Sequence, residues 1–251
     1  MLWLFYTSGT TGKPKGVMLT AANLAAMTDA YYVDVDEVSP ADAFLYAAPL
    51  SHGAGLYNFM GVEKGCRHVV PASGGFDAGE ILALAPKLGN VSMFAAPTMV
   101  KLLVEEAKRT GASGEGLKTV VYGGGPMYVA DIVEAVEVLG PRFVQIYGQG
   151  ESPMTITALQ RGLVADRAHP RWKERLGSVG RAHSCVEVRI AAENGAELPR
   201  GQIGEILVRG PSVMKGYWQN PKATRETLKD GWLWTGDTGA MDKDGFVTLH
   251  D

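Results

Sequence analysis

Between Tyr6 and Val17 the chain reads Tyr6-Thr7-Ser8-Gly9-Thr10-Thr11-Gly12-Lys13-Pro14-Lys15-Gly16-Val17, a run that crowds hydroxyls, glycines and two lysines directly after an apolar segment. Such a run suits a polyphosphate. Glycines let the backbone turn so that successive N–H groups face one anion, hydroxyls add donors, and a lysine adds a point charge. Each hydrogen bond to a charged group contributes roughly 1.5–3 kcal/mol, so several together can hold a triphosphate. The common nucleoside-triphosphatase loop needs four residues between its glycines and Ser or Thr after its lysine. Here Gly9 and Gly12 enclose two residues and Lys13 precedes Pro14, so a different phosphate-binding family is required. A small polar surface turn is the plain alternative for any Gly/Ser/Thr loop, and the length of this string argues against it.

Other chemistry-bearing blocks follow in order: Gly123-Gly124-Gly125-Pro126, Tyr147-Gly148-Gln149-Gly150-Glu151, Gly204-Glu205 with Gly216-Tyr217, and Trp234-Thr235-Gly236-Asp237. With the first run, they resemble the signature of the adenylate-forming superfamily, which includes acyl-CoA synthetases, firefly-type luciferases and the adenylation domains of peptide synthetases. The resemblance covers nearly the whole chain. It implies nucleotide binding by Thr7, Ser8, Gly9, Thr10, Thr11, Gly12, Lys15, Gly124, Gly125, Pro126, Tyr147, Gly148 and Asp237. It places Lys15, Thr11, Glu151 and His52 in catalytic roles, with ATP, Mg2+ and coenzyme A as cofactors.

Physical roles attach to these positions. An acid near a triphosphate, as Glu151 is then placed, can help hold Mg2+, a hard cation that prefers carboxylate, phosphate and water oxygens. The family usually has threonine before this acid, and here Gly150 leaves that hydroxyl contact open. Tyr147 offers a flat ring for adenine, and base stacking contributes about 1–3 kcal/mol in single-stranded nucleic-acid complexes. Asp237 carries two acceptor oxygens for the two hydroxyls of a ribose. The plain alternatives are a solvated acid, a core tyrosine and a turn aspartate. His52, in Pro49-Leu50-Ser51-His52-Gly53-Ala54-Gly55, is expected to position the substrate rather than move a proton, because a carboxylate is already ionised at neutral pH. His68, His169, His183 and His250 show no metal-ligand spacing.

The resemblance places the acyl group among His52, Gly53, Tyr57, Thr98, Gly123, Gly148 and Met154. From Ser51 through Val62 there is no acidic residue to pair with the ammonium of an amino acid, so a fatty or aromatic carboxylic acid is favoured. The implied reaction has two steps: the carboxylate attacks the α-phosphorus of ATP, releasing pyrophosphate, and a thiol, coenzyme A, then displaces AMP. Two other readings stand beside it, an adenylation enzyme that loads a carrier protein and a non-catalytic nucleotide-binding remnant.

The elements that must position these groups follow from the patterning. Apolar or β-branched runs at Val91–Ala96, Lys118–Tyr122 and Phe143–Tyr147 alternate with segments of helical spacing, which predicts an α/β unit with a parallel sheet flanked by helices. Thr98 and Pro126 are expected to open two of the helices, and Thr20-Ala21-Ala22-Asn23-Leu24 a third. Leu2–Tyr6 reads as a buried strand, and Arg161–Leu176 as an irregular boundary. Beyond Gly177 shorter alternating strands predict a small β-rich, barrel-like subdomain. The expected organisation is a phosphate-loop strand-loop-helix at 1–30, an α/β acyl- and adenine-binding part at 31–165, and the β-rich part at 177–251, together a partial adenylate-forming N-terminal domain.

With 251 residues, 46% hydrophobic and 20% charged, the composition is that of a globular protein. Its 27 acidic against 24 basic residues leave a net charge of −3, which carries no electrostatic footprint for nucleic acid. Two cysteines cannot build a disulfide framework, and no apolar run approaches the ~20 residues of a membrane span, so a cytoplasmic setting is expected. The resemblance implies a long region before the phosphate loop and a C-terminal lid with the lysine that assists adenylation, and both are expected to be missing from this chain. The expectation is a truncated core with little complete turnover, self-associating through apolar surface exposed around Leu2–Tyr6.

Overall fold

The computed structural model describes residues 1–7 and 14–250. β1 (Trp3–Thr7) and β2 (Lys15–Leu19) precede α1 (Ala21–Asp34), followed by β3 (Ala43–Leu45), a 3-10 turn at Gly53–Tyr57, α2 (Asn58–Lys64), β4 (Arg67–Val69) and α3 (Ala78–Leu88). Next come β5 (Val91–Ala95), α4 (Pro97–Thr110), β6 (Leu117–Tyr122), α5 (Val129–Leu139), β7 (Phe143–Gln149), β8 (Ser152–Leu159), α6 (Arg161–Ala165) and α7 (Trp172–Leu176). The remainder is β9 (Arg181–Ala182), β10 (Glu187–Ala191), β11 (Ile203–Arg209), β12 (Gly216–Tyr217), α8 (Pro221–Thr227), β13 (Leu228–Lys229), β14 (Trp232–Met241) and β15 (Val247–His250). The chain divides into two units, one of residues 1–30, 147–158 and 178–251, the other of residues 31–146 and 159–177. The segment 1–30, expected to stand by itself, thus groups with the β-rich part.

In the second of these units β4, β3, β5, β6 and β7 lie side by side, and every pairing is parallel. Parallel neighbours need crossovers, and α2, α3, α4 and α5 supply them. The apolar stripe of α4, Val100, Leu103, Val104 and Ala107, is buried at the spacing of one helix face. This helix begins at Pro97 rather than being capped by Thr98, because proline at the first helical position lacks only an N–H that would be unpaired there. The next helix begins at Val129, leaving Pro126 in the loop ahead of it. Residues 161–176, expected to be irregular, form two five-residue helices with Pro170 between them, where neither could continue. Beneath them Lys118 Nζ contacts Asp42 at 2.6 Å and Arg161 contacts Asp36 at 3.1 Å.

The first unit is mostly β, as expected. β1, β2 and β12 form an antiparallel sheet, with Thr7 opposite Lys15 and Tyr217 opposite Val17. A second antiparallel sheet runs β10, β11, β14, β13, with β15 on the other part of β14. Ile156, Ile190, Ile206, Val208, Leu233 and Val247 meet in its core. In β1 only Phe5 is fully buried, and Leu2 and Tyr6 are exposed, so the strand alternates instead of being buried throughout. α8 interrupts the β pattern, and its signal was present: Asn220 accepts from the Ala223 N–H and Pro221 takes the first helical position.

At α1, Thr20 and Asn23 close a reciprocal cap. The Asn23 N–H donates to Thr20 Oγ1 at 3.1 Å, and the Thr20 N–H to Asn23 Oδ1 at 2.9 Å. Asn23 Nδ2 also donates to the carbonyls of Pro211 at 2.7 Å and Val213 at 2.8 Å, pinning the chain just before β12. Losing the cap costs about 1 kcal/mol and each long-range hydrogen bond about 1 kcal/mol. Asn23→Ala is therefore expected to destabilise the protein by about 3 kcal/mol, read as a lower midpoint of denaturant unfolding.

Candidate functional site

The site is built where β14 departs from its partner. Leu207 of β11 faces Trp234, yet Glu205 faces Thr238, so Thr235, Gly236 and Asp237 stand opposite Ile206 alone. Such a bulge turns side chains out of the regular alternation. Gly236 occupies a positive φ of 76°, Thr235 Oγ1 donates to the Ile206 carbonyl at 2.8 Å, and the Gly236 N–H donates to Glu205 Oε1 at 2.9 Å. The excursion is thereby held on both sides, and it carries the half-buried Asp237.

The end of β7 meets it. The Tyr147 hydroxyl donates to Asp237 Oδ2 at 2.5 Å, and Gln149 Nε2 donates to the same oxygen at 2.7 Å and to the Thr235 carbonyl at 3.0 Å. No hydrogen bond reaches Asp237 Oδ1 among the described residues. Tyr147, expected as a face for a base, has its ring buried with Ile156, Ile206 and Leu233, and it presents its hydroxyl to Asp237. Burial, reinforced by the neighbouring carboxylate, drives its pKa well above the ordinary phenol value, so it remains a donor. Gly148 is needed between these two donors because a β-carbon there would stand 2.6 Å from the Met154 backbone nitrogen. Met154 itself holds a left-handed φ of 62°. Gly148 and Met154, both expected at the acyl group, thus touch backbone to backbone.

A cleft of about 600 Å3 opens beside this cluster, lined among others by Thr7, Lys15, Gly150, Glu151, Tyr217, Lys229 and Asp237. Glu151 follows β7 and accepts from the Tyr217 hydroxyl at 2.6 Å, while Lys15 Nζ lies 5.1 Å from the centroid of the same ring. At Gly150 a β-carbon would come within 2.4 Å of Thr7 Cγ2 and 3.0 Å of Phe5 Cδ1, so the Thr7 methyl fills the space that a larger residue would take. Among the described residues no three His, Cys, Asp or Glu side chains gather as a metal cluster. A lone carboxylate still fits Mg2+, which binds through one or two carboxylates together with substrate phosphate and water oxygens. Ser8, Gly9, Thr10, Thr11 and Gly12 lie outside the described residues.

The remaining expected residues belong to the second unit. Gly123 is buried, and Gly124, Gly125 and Pro126 are exposed just after β6. Gly124 and Gly125 approach the Phe94 ring and Pro97 at the same end of the neighbouring strand β5. Tyr57 stacks on Phe94 with centroids 5.6 Å apart, and its buried hydroxyl has no hydrogen-bond partner among the described residues. Thr98 is exposed in the first turn of α4, and His52 is exposed ahead of the 3-10 turn that begins at Gly53. Ligands of open parallel sheets bind outside the carboxyl ends of the strands, where these groups collect.

A family model described as AMP-binding enzyme matches residues 1–218. The chain belongs to the AMP-binding enzyme family. It is 36% identical over its whole length to a medium/long-chain-fatty-acid–CoA ligase of Mycobacterium tuberculosis, covering 42% of that protein. It is 38% identical over 99% of its length to a feruloyl-CoA synthase of an Amycolatopsis species, covering 48%. The solved structure of o-succinylbenzoate coenzyme A synthetase from Bacillus subtilis, in complex with AMP, matches 99% of this chain and 48% of that one. Its TM-score is 0.85 at 32% identity. The chain spans about half the length of the curated relatives it matches.

In this member of the AMP-binding enzyme family sequence reasoning assigned roles to Asp237, Tyr147, Lys15 and Glu151, but none to Gln149, Tyr217 or Lys229. Gln149 stands inside one block, between two glycines, and Tyr217 inside another, after Gly216; neither type nor spacing marks which partner they reach. The contact at Gly150 is directly testable. Gly150→Ala is expected to cost about 1–3 kcal/mol by overpacking against Thr7, and Thr7→Ser, which removes the obstructing methyl, is expected to restore most of the loss in thermal unfolding.

Proposed function

We propose that this chain binds ATP and a carboxylic acid and serves the formation of an acyl-adenylate, from which a thiol, coenzyme A, takes the acyl group. The observation that carries this reading is the single cleft in which Lys15, Glu151 and Asp237 are gathered, a cation, an anion and a ribose-type acceptor. Membership of the AMP-binding family supports it, as do the relatives that join fatty or aromatic acids to coenzyme A.

Each residue then has a defined task. Asp237, with Oδ2 already engaged by Tyr147 and Gln149, accepts ribose hydroxyls, and Tyr147 serves nucleotide binding by holding that carboxylate. Lys15 draws the developing negative charge toward the phosphates, and Thr7 together with Ser8, Gly9, Thr10, Thr11 and Gly12 supplies donors around them. Glu151 holds the cation that accompanies the phosphates. Mg2+ held there would offset charge on the departing pyrophosphate. One substrate carboxylate oxygen forms the new bond to the α-phosphorus as the bond to pyrophosphate breaks; the coenzyme A thiolate then forms the thioester and AMP leaves. No covalent enzyme intermediate is needed, so the protein contributes alignment and charge placement. His52 positions the carboxylate, and the acyl part, fatty or aromatic, lies with Gly53, Tyr57, Thr98, Gly123, Gly148 and Met154. Gly124, Gly125 and Pro126 border the adenine.

No helix among the described residues is long and apolar enough to cross a membrane. Calorimetric titration with ATP·Mg2+ and with AMP tests the proposal. Lys15→Ala is expected to weaken ATP by about tenfold or more while leaving AMP little changed, and Asp237→Ala to weaken both. If both variants bind the two nucleotides as the parent does, the assignment is wrong.

A further inference from the structure

Lys15 and Glu151 line one cleft with opposite charges, and opposite charges sharing a partly enclosed space attract. Among the described residues no ion pair joins them. Both instead engage Tyr217: its hydroxyl donates to Glu151 Oε1 at 2.6 Å, and Lys15 Nζ rests 5.1 Å from its ring centroid. A hydrogen bond to a carboxylate and a cation on an aromatic face are both favourable, so one side chain satisfies each charge without letting them meet.

Tyr217 is well placed to do this because its backbone is fixed. It is buried, paired opposite Val17 in β2, and its N–H donates to Thr224 Oγ1 at 2.9 Å. Its neighbours clamp the same strand, the Trp218 N–H on the Gly16 carbonyl at 2.7 Å and the Lys215 N–H on the Met18 carbonyl at 3.0 Å. Glu151 is held from the same stretch, since its backbone carbonyl accepts from the Met214 N–H at 2.8 Å. Residues 214–218 therefore tie together the strand that carries Lys15 and the turn that carries Glu151.

We propose that Tyr217 is a positioning residue that keeps Lys15 and Glu151 from pairing, so that the ammonium is available to phosphate oxygens and the carboxylate to the cation that accompanies them. The role in ligand binding rests on the function proposed above; the separation of the two charges does not. Were the two joined, an incoming triphosphate would have to break that pair before using either member.

Three measurements test this. In nucleotide-free crystals of Tyr217→Leu, Lys15 Nζ is expected to move within about 4 Å of a Glu151 oxygen, and finding the two still apart overturns the proposal. Tyr217→Phe keeps the ring and removes the hydroxyl; it is expected to weaken ATP·Mg2+ by about tenfold in calorimetry, with AMP unchanged. In a Glu151→Gln background the same change is expected to cost nothing further. Equal losses for ATP and AMP, or an undiminished loss in that background, indicate a merely structural tyrosine and overturn it. A parent chain that binds neither nucleotide refutes the proposed function, while the Tyr217→Leu crystal still decides the charge separation.

Discussion

A carboxylate held by two neutral donors from another strand is the constraint on which this site depends. Asp237 accepts from Tyr147 and Gln149 on one oxygen. For those bonds to form, β14 must bulge outward by the residues that carry the carboxylate, and β7 must end beside the bulge. Ionised carboxylates are costly to enclose without donors. The pair of donors thus fixes the orientation of the acid and compensates its partial burial, leaving Oδ1 without a hydrogen bond among the described residues. Burial holds Tyr147 protonated, so its hydroxyl stays a donor at neutral pH.

The same economy of contacts recurs on the other side of the cleft. The turn from β7 to β8 carries no residue larger than glycine at 150, and the Thr7 methyl and Phe5 ring fill the space. Glu151 then emerges beside β12, where Tyr217 meets it. Strands β2 and β12 are far apart in sequence but adjacent in one sheet, so charge-bearing residues from both ends of the chain reach the same cleft with their backbones already hydrogen-bonded. Strands carry Lys15, Tyr217 and Asp237, so their backbones are held by inter-strand hydrogen bonds.

Sequence patterning and structure agree where local physics dominates. Long apolar runs bounded by helical spacing became β5, β6 and β7 with their crossovers, because a strand buried on both faces has few alternatives. They differ at boundaries. Pro97 rather than Thr98 opens α4, and Asn220-Pro221 starts a helix inside the β-rich part, both decided by which backbone N–H groups lack partners.

The amino-acid sequence by itself determined the family and the order of its blocks, because hydroxyl, lysine and carboxylate chemistry is written in residue type. Only the tertiary structure decided which of those groups meet. Gln149 on Asp237, Tyr217 between Lys15 and Glu151, and Thr7 against Gly150 join positions between 66 and 202 residues apart. Contacts of that range are set by strand register and by a bulge, and neither leaves a mark in the local spacing of the residues involved.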